Sequence, residues 1–335
     1  MFDWLHEAIF NPQTPSEKIF VMIFAVLLFA AVVGLILFLV DLPKVPKWVV
    51  VVGFLGPVLL VLAWGLVRPA LITIYQSFRE YDRNGIDIGA AGFGNYTFFF
   101  HGQSNIQMLV NTLLWVLLVP VLSTVFGLVY AALVDRTRFE AAAKALIFLP
   151  TAISMVAASI AWKYVYYNPA PTGKPQVGLL NALLGLVGLP AQNWLIKFPT
   201  GTLSLIAVMI WIQAGFAMTV LSAALKAVPD DIIEAARIDG ASGMRLFMSV
   251  MVPSIRPTLV VVFSTVAITS LKAFDVVNVM GGNLPSNNVI ANAFRQMQVN
   301  FANGKAGALA VLIFVAVTPV IIYNVVQMRK TEAIR

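Results

Sequence analysis

The chain has 335 residues, 60% of them hydrophobic and 11% charged, with a mean hydropathy of +0.88. A soluble domain needs a charged and polar exterior and cannot hide that much apolar surface, so the class is integral membrane protein. The absence of cysteine excludes disulfides and thiolate chemistry, and His6 and His101 stand too far apart in sequence to suggest a metal centre; the net charge of +7 is read as membrane sidedness, not as a nucleic-acid footprint.

In chain order, "FDWLHEAIF" (2–10) comes first and reads as an interfacial segment. Trp4, Leu5 and Phe10 face lipid, and Asp3 and Glu7 face water. It has no basic leader, and the next apolar run is longer than a signal core, so a secretory signal is not expected. A membrane span takes about 20 apolar residues. Seven stretches meet that: 19–40, 48–78, 107–134, 145–167, 202–226, 257–277 and 306–328. The second is long and holds Pro57 and Pro69, which predicts a tilted or kinked helix.

Basic residues set the orientation. The connections 41–47, 135–144 and 226–256 and the tail from 329 hold twelve Lys or Arg in 55 residues. The alternate set, 1–18, 79–106, 163–201 and 272–305, holds nine in about 120 residues. The denser set is expected inside, which puts the carboxyl end in the cytoplasm and the amino terminus outside.

One connection is unlike the rest. "PDDIIEAARIDGASGMRLFMSVMVP" (229–253) places four acids and two arginines between two apolar spans. Pro229, Asp230 and Asp231 form a helix-start signal, and Asp231 with Glu234 is a variant capping box. Gly240 ends the first short helix by a left-handed turn, Ser242 is placed to cap a second, and Pro253 is expected to stop it. Ala235 and Ala236 make a thin face that another protein can approach closely. A loop that only joins two spans can be much shorter.

The spacing Glu234-Ala235-Ala236, Gly240, then Val250-Met251-Val252-Pro253 resembles the EAA loop of binding-protein-dependent ABC importer permeases. The family more often has Ile and Leu where this chain has two valines. "NTLLWVLLVPVLSTVFGLVYAALV", "ALIFLPTAISMVAASIAWKYVY" and "LKAFDVVNVMGGNLP" are similar to core spans of the carbohydrate-uptake branch, which contains the maltose system's larger membrane subunit. "KPQVGLLNALLG" and "GGNLPSNNVIANAF" resemble permeases for α-glucosides. The likeness covers roughly residues 48 to 330, so residues 1–47 are expected to add one span to a six-span all-α permease domain at 48–335.

The resemblance implies a coupling helix that docks into a cytosolic ABC ATPase dimer, with Glu234, Ala235, Ala236, Arg237, Asp239 and Gly240 as the coupling residues. It also implies a second homologous permease subunit, an extracytoplasmic sugar-binding protein docking on the outer loops, and an oligosaccharide substrate. No GxxxxGK phosphate loop is present, so ATP hydrolysis is expected on another subunit and no catalytic residue or cofactor here. Polar residues within spans are costly unless they face a cavity or another helix. Gln213, Thr269, Ser270, Lys272, Asp275 and Asn278 are therefore candidates for the substrate path. Thr269, Ser270 and Ala273 match family positions that line the sugar cavity, and the alanine departs from the polar residue expected there. Two alternatives stand beside this reading: a permease of the same architecture for a polyamine or phosphate, and an ion-coupled secondary transporter. The latter needs ionisable residues at mid-depth, which the spans lack apart from Arg68 near an end.

Overall fold

The computed structural model describes residues 14–40, 46–135, 137–168, 178–281 and 284–332. The interfacial segment expected at 2–10 lies outside them, as does Lys44. The chain divides into two compact units after Ile72.

The first unit holds α1 (Pro15–Val40), α2 (Lys47–Leu62), a π-turn (Ala63–Val67) and the start of α3 (Arg68–Ser77). A capping box opens α1: Thr14 N–H donates to Glu17 Oε2 at 3.0 Å and Glu17 N–H to Thr14 Oγ1 at 3.3 Å. Its apolar residues point in every direction, and no α2 residue is buried, which is the pattern of helices that lie in lipid. The irregularity expected from Pro57 and Pro69 falls at the π-turn, two residues before Pro69. A proline ring clashes with the carbonyl four residues back, and a wide turn relieves that clash without breaking the helix.

In the second unit a short antiparallel hairpin, β1 (Arg79–Tyr81) and β2 (Asp87–Ala90), leads to α4 (Gly94–Phe99). Arg79 Nε donates to Asp87 Oδ2 at 2.8 Å, and that bond holds the Asp87 carboxyl below its usual range. Buried Asn95 ties α4 to the strand, donating to the carbonyls of Ser77 and Arg79 at 3.0 and 2.8 Å.

The core forms around α5 (Gln103–Val134) and α9 (Thr200–Lys226). Met209, Met218 and Leu221 of α9 and Trp115 and Val119 of α5 are completely or almost completely buried. Glycine sets how closely the two approach: a Cβ on Gly127 would lie 2.5 Å from Ala217 Cβ and 2.7 Å from the Met218 backbone nitrogen. Around this pair run α6 (Glu140–Phe148), a 3-10 turn (Leu149–Ala152), α7 (Met155–Val165), α8 (Leu179–Leu186), α13 (Arg256–Leu271), α14 (Asp275–Met280), α15 (Ile290–Val299) and α16 (Asn303–Glu332).

By length and composition, five helices among the described residues can cross a membrane, and up to seven if each of two bent pairs is one span. Their positions follow the seven expected stretches, with two corrections. The stretch at 145–167 is not one straight helix: Glu140–Ala152 and Met155–Val165 are bent by 101°. Pro150 lies in the 3-10 turn, Ile153 is extended, and Ser154 caps the second piece by accepting from Ala157 N–H at 3.2 Å. The stretch at 257–277 ends early, at Leu271, because Lys272–Phe274 form a tight turn before Asp275 starts α14.

Candidate functional site

Between α9 and α13 the charged segment folds as α10 (Asp230–Ile238), α11 (Gly243–Leu246), a second π-turn (Phe247–Met251) and α12 (Val252–Ser254). Pro229 occupies the N-cap position of α10 and no side chain caps it, so the Asp231–Glu234 capping box does not form. Asp231 is already inside the helix and cannot serve as its cap. The acids act through the dipole instead: Asp230 and Asp231 lie in the first turn and Arg237 in the last.

The far end of α10 is closed by two backbone bonds. Ala241 N–H donates to the Ala236 carbonyl at 2.9 Å and Gly240 N–H to that of Arg237 at 3.0 Å, the pair that defines a Schellman turn. Gly240 supplies the left-handed conformation it needs, with φ +83°. Ser242 has N-cap geometry for α11 but makes no side-chain cap bond. Pro253 does not stop the helix, which continues to Ser254; again a π-turn ends two residues before the proline. The break comes at Ile255, and α13 leaves at 73° to the preceding piece.

Only one edge of α10 is anchored. Ile233 is buried and Ala236 half-buried, while Glu234, Ala235, Arg237, Asp239 and Gly240 are exposed. Ile238 and Met244 also stand free, 86% and 71% exposed, and the sequence reading missed Ile238. A signal was available. Ile238 lies five residues past Ile233, about 140° round the helix, so the two cannot share a face. The segment therefore presents a short capped rod with mixed charge and two apolar tips.

The candidate path residues are spread over two regions. Gln213 is buried on α9, which packs on α13 and α14. Thr269 and Ser270 end α13, Lys272 is exposed in the turn, Asp275 begins α14, and Asn278 is exposed on it. The Thr269 and Ser270 hydroxyls donate to their own helix, at the Thr265 and Ala267 carbonyls, both at 2.8 Å. A cavity of about 410 Å³ takes its α9 wall from Ala207, Ile210, Trp211 and Ala214, so Gln213 does not line it. Trp211 meets Trp162 edge-on at 5.6 Å.

A buried polar hub also escaped the sequence reading. Asn111 of α5, fully buried, donates to the carbonyls of Ser286 and Asn288, both at 2.9 Å, and accepts from Thr202 Oγ1 of α9 at 3.0 Å. Asn287 between them donates to the Leu195 carbonyl at 2.5 Å. A Cβ on Gly201 or Gly281 would fall within 2.2 or 2.8 Å of its carboxamide. Both glycines are thus required by one packed side chain.

Residues 104–331 match the family described as "Binding-protein-dependent transport system inner membrane component". The chain is a member of that family. This is a family of transport components, not of catalysts, and the matched region contains both the α9–α13 segment and the Asn111 hub. Among curated relatives, the osmoprotective compounds uptake permease protein GgtC of Synechocystis is 42% identical over 84% of this chain and 100% of its own length. The alpha-glucoside transport system permease protein AglF of Rhizobium meliloti is 40% identical over 81% and 80%. The trehalose/maltose permease MalF of Thermococcus litoralis is 28% identical over 58% and 65%. Two crystal structures of a bacterial alginate ABC transporter share the fold at 20% identity, with TM-scores of 0.67 and 0.69; they cover 83% and 85% of this chain, and 93% and 96% of theirs.

Proposed function

We propose that this chain is one of two homologous membrane subunits of an ATP-driven importer for an uncharged α-glucoside. In this reading α10 is the coupling helix and residues 48–335 form the transport domain, to which 1–47 add a span. The observation that carries it is the exposed, Schellman-closed rod of α10, in a chain of this family that is 40% identical to an alpha-glucoside permease.

The physics suits a lever. Nine helical residues make a rod about 13 Å long. It is stiffened by first-turn acids and a last-turn arginine and held at a fixed angle by the turn at Gly240. Ile238 and Met244 provide the apolar anchors that a cleft on the ATPase can enclose, with Glu234, Arg237 and Asp239 as its charged rim. Sugar passes between the two membrane subunits, with Gln213 and the stretch from Thr269 to Asn278 supplying this chain's share of the wall. The binding protein delivers from the side of the β1–β2 hairpin, and α10 lies in the cytoplasm.

The relative named for osmoprotective compounds favours a compatible solute as cargo. Trehalose is both a compatible solute and an α-glucoside, so the two names are met by one chemistry. The test is uptake into proteoliposomes holding both membrane subunits and the ATPase, with the binding protein outside. ATP-dependent accumulation of labelled trehalose, sucrose or maltose is expected. Transport of spermidine or phosphate in their place would overturn the substrate class and leave the family standing.

A further inference from the structure

Lys226 is the last residue of α9, and three residues separate it from Asp230, where α10 begins. Its ammonium is ion-paired with Glu140 of α6. Glu140 also holds Lys144, one turn on, at 2.8 Å. Lys144 in turn pairs with Asp135, the C-cap of α5, at 2.5 Å, and donates to Ser222 of α9. Ser222 Oγ donates to Asp135 Oδ1 at 2.7 Å. These five side chains tie α5, α6 and α9 together at the end of the bundle from which α10 departs. Two carboxylates and two ammoniums meet in these contacts.

Among the described residues of this cluster, one buried acceptor lacks a donor. Asp135 Oδ2 is buried and has no hydrogen-bond partner. A buried carboxylate oxygen without a donor needs an explanation, and a second arrangement that satisfies it is one. Asp135 and Lys226 line the same small cavity, about 150 Å³, together with Ala132 and Leu225. The other walls are Phe247 and Met251 of the second π-turn, so the α9–α13 segment itself forms one side of the cavity that Asp135 and Lys226 share.

The cluster is unevenly held. The Asp135 side chain is 11% exposed and that of Lys226 is 46%. The outer pair is screened by solvent and easily exchanged, whereas the Asp135–Lys144–Ser222 knot is a firmer anchor. We propose that Lys226 is a positioning residue of the coupling step, exchanging Glu140 for the free Oδ2 of Asp135 when α10 is displaced. The exchange passes the loop's movement to α5 and α6, where otherwise the three-residue connection would absorb it. This rests on the coupling reading of α10 given above.

The test uses the full complex of both membrane subunits, ATPase and binding protein in proteoliposomes, with labelled trehalose as the probe. Lys226→Gln is expected to keep the ATPase bound and to lower uptake per ATP hydrolysed about tenfold, while Lys226→Arg stays within about twofold. Glu234→Lys is expected to recover less ATPase, so failure of the coupling reading shows in that variant and failure of the exchange shows in Lys226→Gln. Because the chain has no cysteine, introduced pairs give a direct readout. Asp135→Cys with Lys226→Cys should cross-link faster in the ATP-trapped complex than at rest, and Glu140→Cys with Lys226→Cys should do the reverse. Unchanged uptake per ATP in Lys226→Gln overturns the proposal, as do cross-linking rates that are equal in the two states. A Lys226→Gln chain that fails to accumulate assigns the cluster to folding alone and overturns it too.

Discussion

The backbone N–H of Ala241 reaches back to the carbonyl of Ala236 at 2.9 Å, and this bond fixes the direction in which the chain leaves α10. The constraint at the intervening Gly240 is one of backbone, since φ is +83° and nothing lies within 4 Å of an added Cβ. An L side chain there costs about 1–2 kcal/mol, and a proline cannot adopt the angle or supply the N–H that bonds Arg237. We expect Gly240→Ala to transport at a reduced rate and Gly240→Pro to lose more than about tenfold of uptake at equal membrane abundance. Normal uptake by the proline variant would show that the turn is dispensable.

Glu234 and Ile238 test the proposed docking surface from two sides. Glu234→Lys reverses a charge on the exposed face, and Ile238→Asp removes an apolar tip that is 86% exposed. Neither side chain supports the fold, because Ile233 is the residue that anchors α10. Both variants should insert normally, yet recover less ATPase on purification of the membrane subunits. Full recovery with Ile238→Asp would restrict the contact to the charged rim.

How much of this was readable in advance depended on the range of the interaction. Composition and apolar run length located the spans, because lipid acts on every residue of a helix alike. The turn at Gly240 was legible because one residue type satisfies its backbone angle. Pro253 misled: the chain accommodates it with a π-turn, a choice made by backbone geometry over five residues and invisible in spacing. The bend near Pro150 was missed for a related reason, since apolar content is the same whether a span is straight or broken. The Asn111 hub was beyond reach, because its partners Ser286 and Asn288 lie 175 and 177 residues away.

Sidedness is open to direct measurement. With twelve basic residues crowded into one set of connections, a reporter fused after Arg335 should be shielded from external reagent in intact cells, and one before Met1 should react. Loop cysteines sharpen the test. Substitutions at Ile88 and at Met244, both exposed, should label from opposite faces. Labelling of both from outside would place α10 on the wrong side for an ATPase.

Asn111→Leu probes the hub without touching either proposed interface. The carboxamide is fully buried and bonds two backbone carbonyls, of which that of Ser286 also accepts from Thr202 Oγ1 at 3.1 Å. In Asn111→Leu the Asn288 carbonyl loses this donor, and a buried carbonyl left unpaired costs about 1–3 kcal/mol. The variant should therefore unfold at a clearly lower temperature in detergent, and protease should cut within 284–290 sooner than in the wild type. An unchanged melting temperature would mean that this loop is held by Asn287 and its two glycines alone.

Ser270 and Thr269 separate a substrate path from mere packing. Ser270 is 3% exposed and its hydroxyl is spent on the Ala267 carbonyl, so Ser270→Ala should leave the half-saturation for sugar within about twofold. Ser270→Leu adds volume to a filled site and should destabilise by about 1–3 kcal/mol, lowering uptake through loss of folded protein. Thr269 is only half-buried, so Thr269→Leu should fold. If the end of α13 lines the path, Thr269→Leu will slow sugar uptake while ATP hydrolysis stimulated by the binding protein persists. A folding defect lowers both together. Unchanged uptake and half-saturation in Thr269→Leu would remove α13 from the path and leave Gln213 of α9, with the α14 residues, as this chain's share of it.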